Sequence, residues 1–408
     1  MQTNEIFSQI EKQKDAMVQT LMELIRIPAI APENGGDGET KKADRLTELL
    51  KTMGFDDIQH YDADDDRVPS KKRPNIVTRL IGETDAEKLW IITHLDIVPE
   101  GEESLWTIAK PFQPVIKDGR VYGRGSEDNM HSMIASLFAL KTLKDLGIKP
   151  KRTVALGFVA DEEQGSKYGI QYLIGKGLFS KQDLLIVPDS GNENGSFIEI
   201  SEKSALWFRI RTIGKQTHAS RPQMGLNAHR IGMQFSLALD EMLHTKYSCR
   251  DDYFDPPEST IEPTKKDKNV DAVNIAPGED IVYFDCRVLP DYRLDDFLND
   301  INMLARDYEK KTGSTIRIEI IQKTVAPKPT SPDAKVVKML EQAVREVRRV
   351  EPKVGGIGGG TCAAYFREIG LPSVVWSTID ETAHQPNEYT KIENLVSDAK
   401  VYALLSMI

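Results

Sequence analysis

The stretch Leu89-Trp90-Ile91-Ile92-Thr93-His94-Leu95-Asp96 runs from continuous apolar residues into a histidine and an acid. A short unbroken apolar run means cover on both faces, which is the pattern of a buried strand in a sheet with helices on each side. Two further runs read the same way. Val154-Ala155-Leu156-Gly157-Phe158-Val159 leads into Asp161-Glu162-Glu163, and Leu184-Leu185-Ile186-Val187 leads into Pro188-Asp189-Ser190. Around them the spacing of apolar residues predicts helices over residues 5–26 (Ile6, Ile10, Met17, Leu21, Leu24, Ile25), over Ala43 to Met53 ahead of Gly54, and over Met130 to Leu146. Strands alternating with helices predict an α/β domain.

From about Lys203 the texture changes. Alternating strands (Ala205 to Arg211, Ile281 to Arg287, Thr315 to Ile320) are separated by helices at about 227–243 and 294–311, the pattern of a small α+β domain with one open sheet face. After the Pro-rich stretch Val325 to Pro332, a long helix (Ala334 to Val347), a glycine loop, a helix, a strand at Val374-Val375-Trp376 and a final helix return to the first texture. The expected domains are therefore 1–202 and 326–408 as two parts of one catalytic domain, with 203–325 inserted between them.

At 408 residues the chain exceeds what one core usually supports. A net charge of -10 argues against a nucleic-acid partner, which would meet a basic face. No stretch approaches the roughly 20 apolar residues that span a bilayer, and the N-terminus MQTNEIFSQIEKQKDAM has no apolar core of a secretory signal. Cys249, Cys286 and Cys362 are odd in number and widely spaced, which fits neither a disulfide framework nor a thiolate metal site. A cytoplasmic location, no membrane partner and a reducing compartment are expected.

Three acidic or histidine-bearing clusters thus sit at the carboxyl ends of predicted strands, where ligands collect in open α/β sheets. A fourth, Glu127-Asp128, follows the turn Gly123-Arg124-Gly125 just ahead of the helix beginning near Met130, whose dipole favours a carboxylate. With His384 far downstream, the chain offers two imidazoles and at least three carboxylates, the donor set of a two-metal hydrolytic site. Such a site needs one carboxylate between ions about 3.5 to 4 Å apart and acidifies bound water to a pKa of about 7. Nitrogen and oxygen donors suit Zn(2+), Mn(2+) or Co(2+). Asp96, two residues from His94 in an extended segment, points to the same side and is placed to fix the imidazole tautomer. In the Glu162-Glu163 pair the side chains diverge, so that one holds metal while the other faces water as general base.

These motifs resemble the M20 family of metallopeptidases and deacylases, through nearly the whole chain. His94-Leu95-Asp96-Ile97-Val98-Pro99 is similar to its His-x-Asp-x-Val-Pro, and Gly123-Arg124-Gly125-Ser126-Glu127-Asp128 to its Gly-Arg-Gly-x-x-Asp. Asp161-Glu162-Glu163, Pro188-Asp189-Ser190 and Thr382-Ala383-His384-Gln385-Pro386-Asn387-Glu388 match the remaining ligand motifs. The resemblance implies a zinc-peptidase-like catalytic domain, a mixed sheet flanked by helices, with an inserted α+β (ferredoxin-like) lid that also dimerises. It implies two divalent ions, Zn(2+) first, with Asp128 bridging, His94 and Asp189 on one ion, and Glu163 and His384 on the other. Glu162 would be the base and Asp96 would orient His94. His218, in Gly214 to Pro222, resembles the lid histidine that stabilises the oxyanion, supplied in dimeric relatives by the partner's lid. Asn274, Arg287, Gly360 and Thr361 fall where the family meets its substrate, an arginine fork suiting a carboxylate.

There are departures. Met130-His131 replaces a Lys-Gly pair, and Cys362-Ala363 stands where several members carry an acid. The loop Gly355 to Thr361 lacks the Gly-Lys-Ser/Thr ending of a phosphate loop. Cys362 reads as a small buried residue and His60, His131, His229 and His244 as structural or exposed. The expected activity is hydrolysis of the amide of an N-acyl amino acid by metal-bound hydroxide, acting on a small amide or short peptide. The rivals are a di- or aminopeptidase or carboxypeptidase using the same site and a non-catalytic metal-binding homologue, against which Glu162 beside a full ligand set argues.

Overall fold

The computed structural model describes residues Gln2–Ile408. The chain divides into two compact units, Met1–Ile200 with Pro329–Val354 and Thr361–Ile408, and Ser201–Lys328 with Gly355–Gly360.

The first unit is built on an eight-stranded mixed sheet. Its strand order is Ile58–His60, Ile76–Leu80, Arg152–Val159, Thr84–His94, Leu184–Asn192, Ser373–Thr378, Phe197–Glu202 and Lys353–Ile357. The central strands are parallel, and every residue of Arg152–Val159 is buried, as its unbroken apolar run requires. Helix Met130–Asp145 is buried around nearly its whole circumference, so it lacks the one-sided apolar stripe of a surface helix. Met133, Leu137 and Leu140 join one core with Leu21 and Leu24 and with Leu395, Ala399 and Leu405 of the final helix Ile392–Met407. This core covers one face of the sheet. A second cluster, with Trp90, Ile92, Val187, Val375 and Phe366, lies on the alternate residues of the same strands. The α/β expectation, a mixed sheet flanked by helices, is borne out. The pattern over residues 5–26 resolves into two consecutive helices, Gln2–Lys12 and Lys14–Ile25, because Gln13 bonds back to Ile10 in a tightened turn at 3.0 Å.

In the second unit the sheet order is Thr260–Lys266, Glu279–Val288, Ser204–Ile213 and Thr315–Thr324, all antiparallel. Ser204–Ile213 alternates: Leu206, Phe208 and Ile210 pack under helices Ala228–Lys246 and Leu294–Thr312, while Trp207, Arg209 and Arg211 take the other face. The first helix is capped by Asn227, whose side chain accepts from Arg230 N at 3.1 Å, and the second ends on Gly313 at φ +75°, a left-handed stop suited to glycine. Strand Thr260–Lys266 is absent from the sequence reading because it is polar and carries Pro263. It lies at the sheet edge, where proline is tolerated, and its register shifts between Pro263 and Lys265. Among the described residues no helix is long and apolar enough to cross a membrane.

Candidate metal centre

The parallel register brings three strand ends to one place. His94 is the last residue of its strand and lies opposite Val159, while Ile91 lies opposite Ile186, which sets Asp189 level with His94 in the neighbouring strand. His94 Nε2 stands 3.3 Å from Asp189 Oδ1 and 2.8 Å from Asp128 Oδ1. The second oxygen of Asp128 faces another imidazole, with Oδ2 at 3.1 Å from His384 Nε2. His384 Nε2 is in turn 3.3 and 3.2 Å from the two carboxylate oxygens of Glu163. Ligand atoms of His94, Asp128 and Glu163 all lie within 4.8 Å of one another, as do those of His94, Glu162 and Asp189. One carboxylate thus splits its oxygens between two imidazoles, each with a further carboxylate beside it.

The chain is shaped to deliver these groups. Gly125, at φ +81°, has no room for a side chain, since a Cβ there would lie 2.5 Å from Met130 Cε and 2.7 Å from Ile97 Cγ2. The Asp128–Asn129 peptide is cis, and Asn129 donates through Nδ2 to Pro188 O at 2.7 Å and to Asp189 Oδ1 at 2.8 Å. Asp161 takes a left-handed conformation, φ 67°, and starts the single 3-10 turn Glu162–Gln164.

Asp96 differs in detail from the sequence expectation. The His94 Nδ1 contact is to the backbone carbonyl of Asp96 at 3.0 Å, whereas its nearer carboxylate oxygen is 3.6 Å away. The Asp96 carboxylate instead accepts from Glu162 N at 3.1 Å and Glu163 N at 3.0 Å. One residue therefore touches both the imidazole and the backbone of the acid pair.

Behind the acid pair lies a buried ion network. Arg73 donates through Nε to Glu39 Oε2 at 2.7 Å and through Nη2 to Glu39 Oε1 at 2.5 Å, with Asp65 Oδ2 at 3.5 Å and Asp161 Oδ1 at 3.1 Å. Arg73 and Glu39 are fully buried. Removing one partner of such a pair leaves a buried charge uncompensated, at a cost of about 3 to 5 kcal/mol. Arg73→Met is therefore expected to lower the melting temperature by about 5 °C or more, read by calorimetry on metal-free protein, and an unchanged transition would discount the network.

The electrostatics fit cations. Burial lifts the Glu162 carboxyl well above the usual carboxylate range, and the charge of Asp189 adds to it. Glu163 is raised chiefly by burial, then by Asp128. Burial would also raise Asp128, but the two imidazoles hold it below the ordinary range. Contacts with Asp128 and Glu163 raise His384 to about 10, and His94 is driven well above its ordinary value by Asp128 despite burial. The carboxylates crowded around them push both imidazoles upward, a negative field that two divalent cations would neutralise. The donors are all nitrogen and oxygen, and Cys286 and Cys362 are buried elsewhere in the core clusters.

The second unit holds His218, Asn274, Arg287 and Gly360. The short pairing of Thr217–His218 with Ile275–Ala276 puts His218 beside Asn274, whose carbonyl accepts from Ala219 N at 2.8 Å. His218 is exposed, and its Nδ1 accepts from Ser220 N at 3.1 Å, which makes Nε2 the donor in the neutral ring. Arg287 is held by Asp285, at 2.7 and 3.1 Å, and donates to Gly358 O at 3.0 Å, so three of its five N–H groups are engaged. Gly360 is exposed. Thr361, in the first unit, is buried, and its hydroxyl accepts from Ala363 N at 3.2 Å.

Sequence reasoning missed Asn129, Glu127 and Glu388. Glu127 and Glu388 lay inside quoted motifs, but nothing in their spacing signals that their carboxylates bind distant backbone.

Fold and site together define a metallohydrolase. A family model described as Peptidase family M20/M25/M40 matches residues 90–407, and the chain belongs to that family. It hydrolyses amide or peptide bonds. It is 41% identical over 395 residues to an uncharacterized metallohydrolase of Methanocaldococcus jannaschii, covering 93% of this chain and 96% of that one. It is 28% identical over 390 residues to a succinyl-diaminopimelate desuccinylase of Pelagibacter ubique, covering 93% and 95%. The solved structure of aminopeptidase PepT from Bacillus cereus shares the fold with a TM-score of 0.74 at 18% identity, covering 96% of this chain and 98% of that chain.

Proposed function

We propose that the protein removes the acyl group from an N-acyl amino acid, as a deacetylase or desuccinylase, and that Zn(2+) is its resident metal, with Co(2+) or Mn(2+) able to substitute. The observation that carries the two-ion reading is the division of Asp128 between His94 and His384. Asp128 would bridge two ions, with His94 and Asp189 available to hold one and Glu163 and His384 the other. When bound, the ions polarise the scissile carbonyl and acidify water.

The chain's own groups do the rest. Glu162, beside Asp189 and next in sequence to Glu163, takes the proton of the attacking water and returns it to the leaving amine. Asp96 positions Glu162 and Glu163 through their backbone N–H groups while its carbonyl sets the His94 ring. His218 donates from Nε2 to the oxyanion. Asn274, Arg287, Gly360 and Thr361 meet the amino-acid portion, with Asp285 fixing the Arg287 fork for a carboxylate. The protein acts in the cytoplasm as a homodimer formed through residues 203–325, a lid whose closure brings His218 to the substrate.

The acyl reading is preferred over a peptidase because the named enzyme relative with the higher identity, 28%, is a desuccinylase, whereas the aminopeptidase likeness stands at 18%. A panel of N-acetyl and N-succinyl amino acids and dipeptides, run on metal-reconstituted protein, tests it. An N-acyl amino acid is expected to give the highest kcat/KM, by about tenfold or more, a gap of about 1.4 kcal/mol in transition-state binding. A dipeptide in that place would overturn the deacylase reading and leave the metal reading standing.

A further inference from the structure

Two acids that hold neither ion in this reading exchange carboxylates across the site. Glu127, on the loop that carries Asp128, accepts from Asp380 N at 2.6 Å, from Thr382 N, from Thr382 Oγ1 at 2.9 Å and from Ala383 N at 2.9 Å, so it grips the segment that leads into His384. Glu388, just beyond His384, reaches the opposite way. It accepts from Arg124 Nη1 at 2.7 Å, Gly125 N at 3.0 Å, Glu127 N at 2.9 Å and Asp128 N at 3.1 Å. Both are buried, at 5% and 1% exposure.

We infer that Glu127 and Glu388 form a reciprocal clamp that fixes the separation of Asp128 from His384, and thereby sets the affinity of the ion held by Glu163 and His384. The inference rests on the two-ion reading above. Its physical ground is strain and reach. Glu381, His384 and Asn387 all sit at positive φ, between 59° and 63°, conformations that persist only where surrounding contacts over-determine them. His384 itself is half-exposed, so packing around its ring does not hold it. The over-determination comes from charge-assisted N–H contacts to the two carboxylates, each of which originates on the segment opposite the one it holds. Neither residue touches substrate or supplies a ligand; both are positioning residues.

The test is calorimetric titration of metal-free protein with Zn(2+), and separately Mn(2+), using His384→Ala to identify which step belongs to the His384 ion. Glu127→Gln and Glu388→Gln are each expected to weaken that step by about 10- to 100-fold, the usual effect of a group that supports a ligand from outside, while the other step shifts less. Because both acids fasten one joint, the double variant is expected to lose no more than about threefold beyond the worse single variant, a non-additive result. Glu199→Gln serves as the control for plain destabilisation. Glu199 is a buried partner of Arg367 at 3.0 Å in the same unit, and its variant should lower the melting temperature and leave both affinities alone.

Wild-type affinities in folded Glu127→Gln and Glu388→Gln, or losses that simply add in the double variant, overturn the clamp. If those variants do not fold, Thr382→Val and Arg124→Lys, which each alter a single contact to one carboxylate, must show a several-fold loss confined to the His384 step, and no loss overturns it. Fewer than two ions on the wild-type protein would defeat the two-ion reading and the clamp with it. Two ions on the wild type with unmoved variants would defeat the clamp alone.

Discussion

Glu162→Gln is expected to lower kcat by about 10³-fold while the protein still takes up two ions. Glutamine keeps the size of the side chain and the turn that Asp96 holds through two backbone N–H groups. It removes only the capacity to accept a proton from water and return it to the amine. Because Glu162 is half-buried beside Asp189, Glu163 and Asp128, deleting its charge weakens the negative field at the site only in part, so metal affinity is expected to fall modestly with both ions retained. Single-turnover kinetics together with metal analysis of the same sample would check both halves. Turnover that survives within about tenfold would remove Glu162 from the proton transfer, and loss of an ion would make it a ligand.

Asp128→Asn should have the opposite signature. Its two oxygens face different imidazoles, at 2.8 and 3.1 Å, so an amide would present one acceptor and one donor where both positions require an acceptor. Affinity for both ions is expected to fall by more than about 100-fold, beyond the effect of a group supporting a ligand from outside, and kcat falls with occupancy. Excess Zn(2+) should therefore recover activity in step with the occupancy it restores. Retention of two tightly held ions in Asp128→Asn would mean that the carboxylate does not bridge. The two variants together separate proton transfer from metal holding, although the residues lie in one cluster.

How much of this was legible in the sequence follows from what kind of contact each residue makes. The strand runs ending at His94, Val159 and Val187 encode their own placement, because continuous apolar residues in a parallel sheet are buried on both faces and their carboxyl ends converge. The parallel register then carries His94 and Asp189 to the same level. Strand Thr260–Lys266 escaped because an edge strand needs no apolar pattern and tolerates Pro263. Asp96 was assigned to the right neighbourhood through its spacing from His94. Its grip on Glu162 and Glu163 depends on two loops about 66 residues apart in sequence meeting in space, and spacing carries no signal for that. The same holds for Arg73 with Glu39 and for Glu127 and Glu388. Their partners are backbone N–H groups or charges supplied by distant segments, and every residue has the same backbone. His384 stood out from the motif, but its positive φ and the contacts that hold it are properties of the assembled loop.

The central claim is that one carboxylate joins two ions at a single hydrolytic centre. The most direct measurement is the number of divalent ions bound per chain, followed as metal-free protein is titrated with Zn(2+) while turnover of an N-acyl amino acid is recorded on the same samples. The account predicts saturation at two ions per chain, with full turnover only as the second is taken up and loss of both on chelation. Full activity with one ion, or activity untouched by chelation, would contradict it.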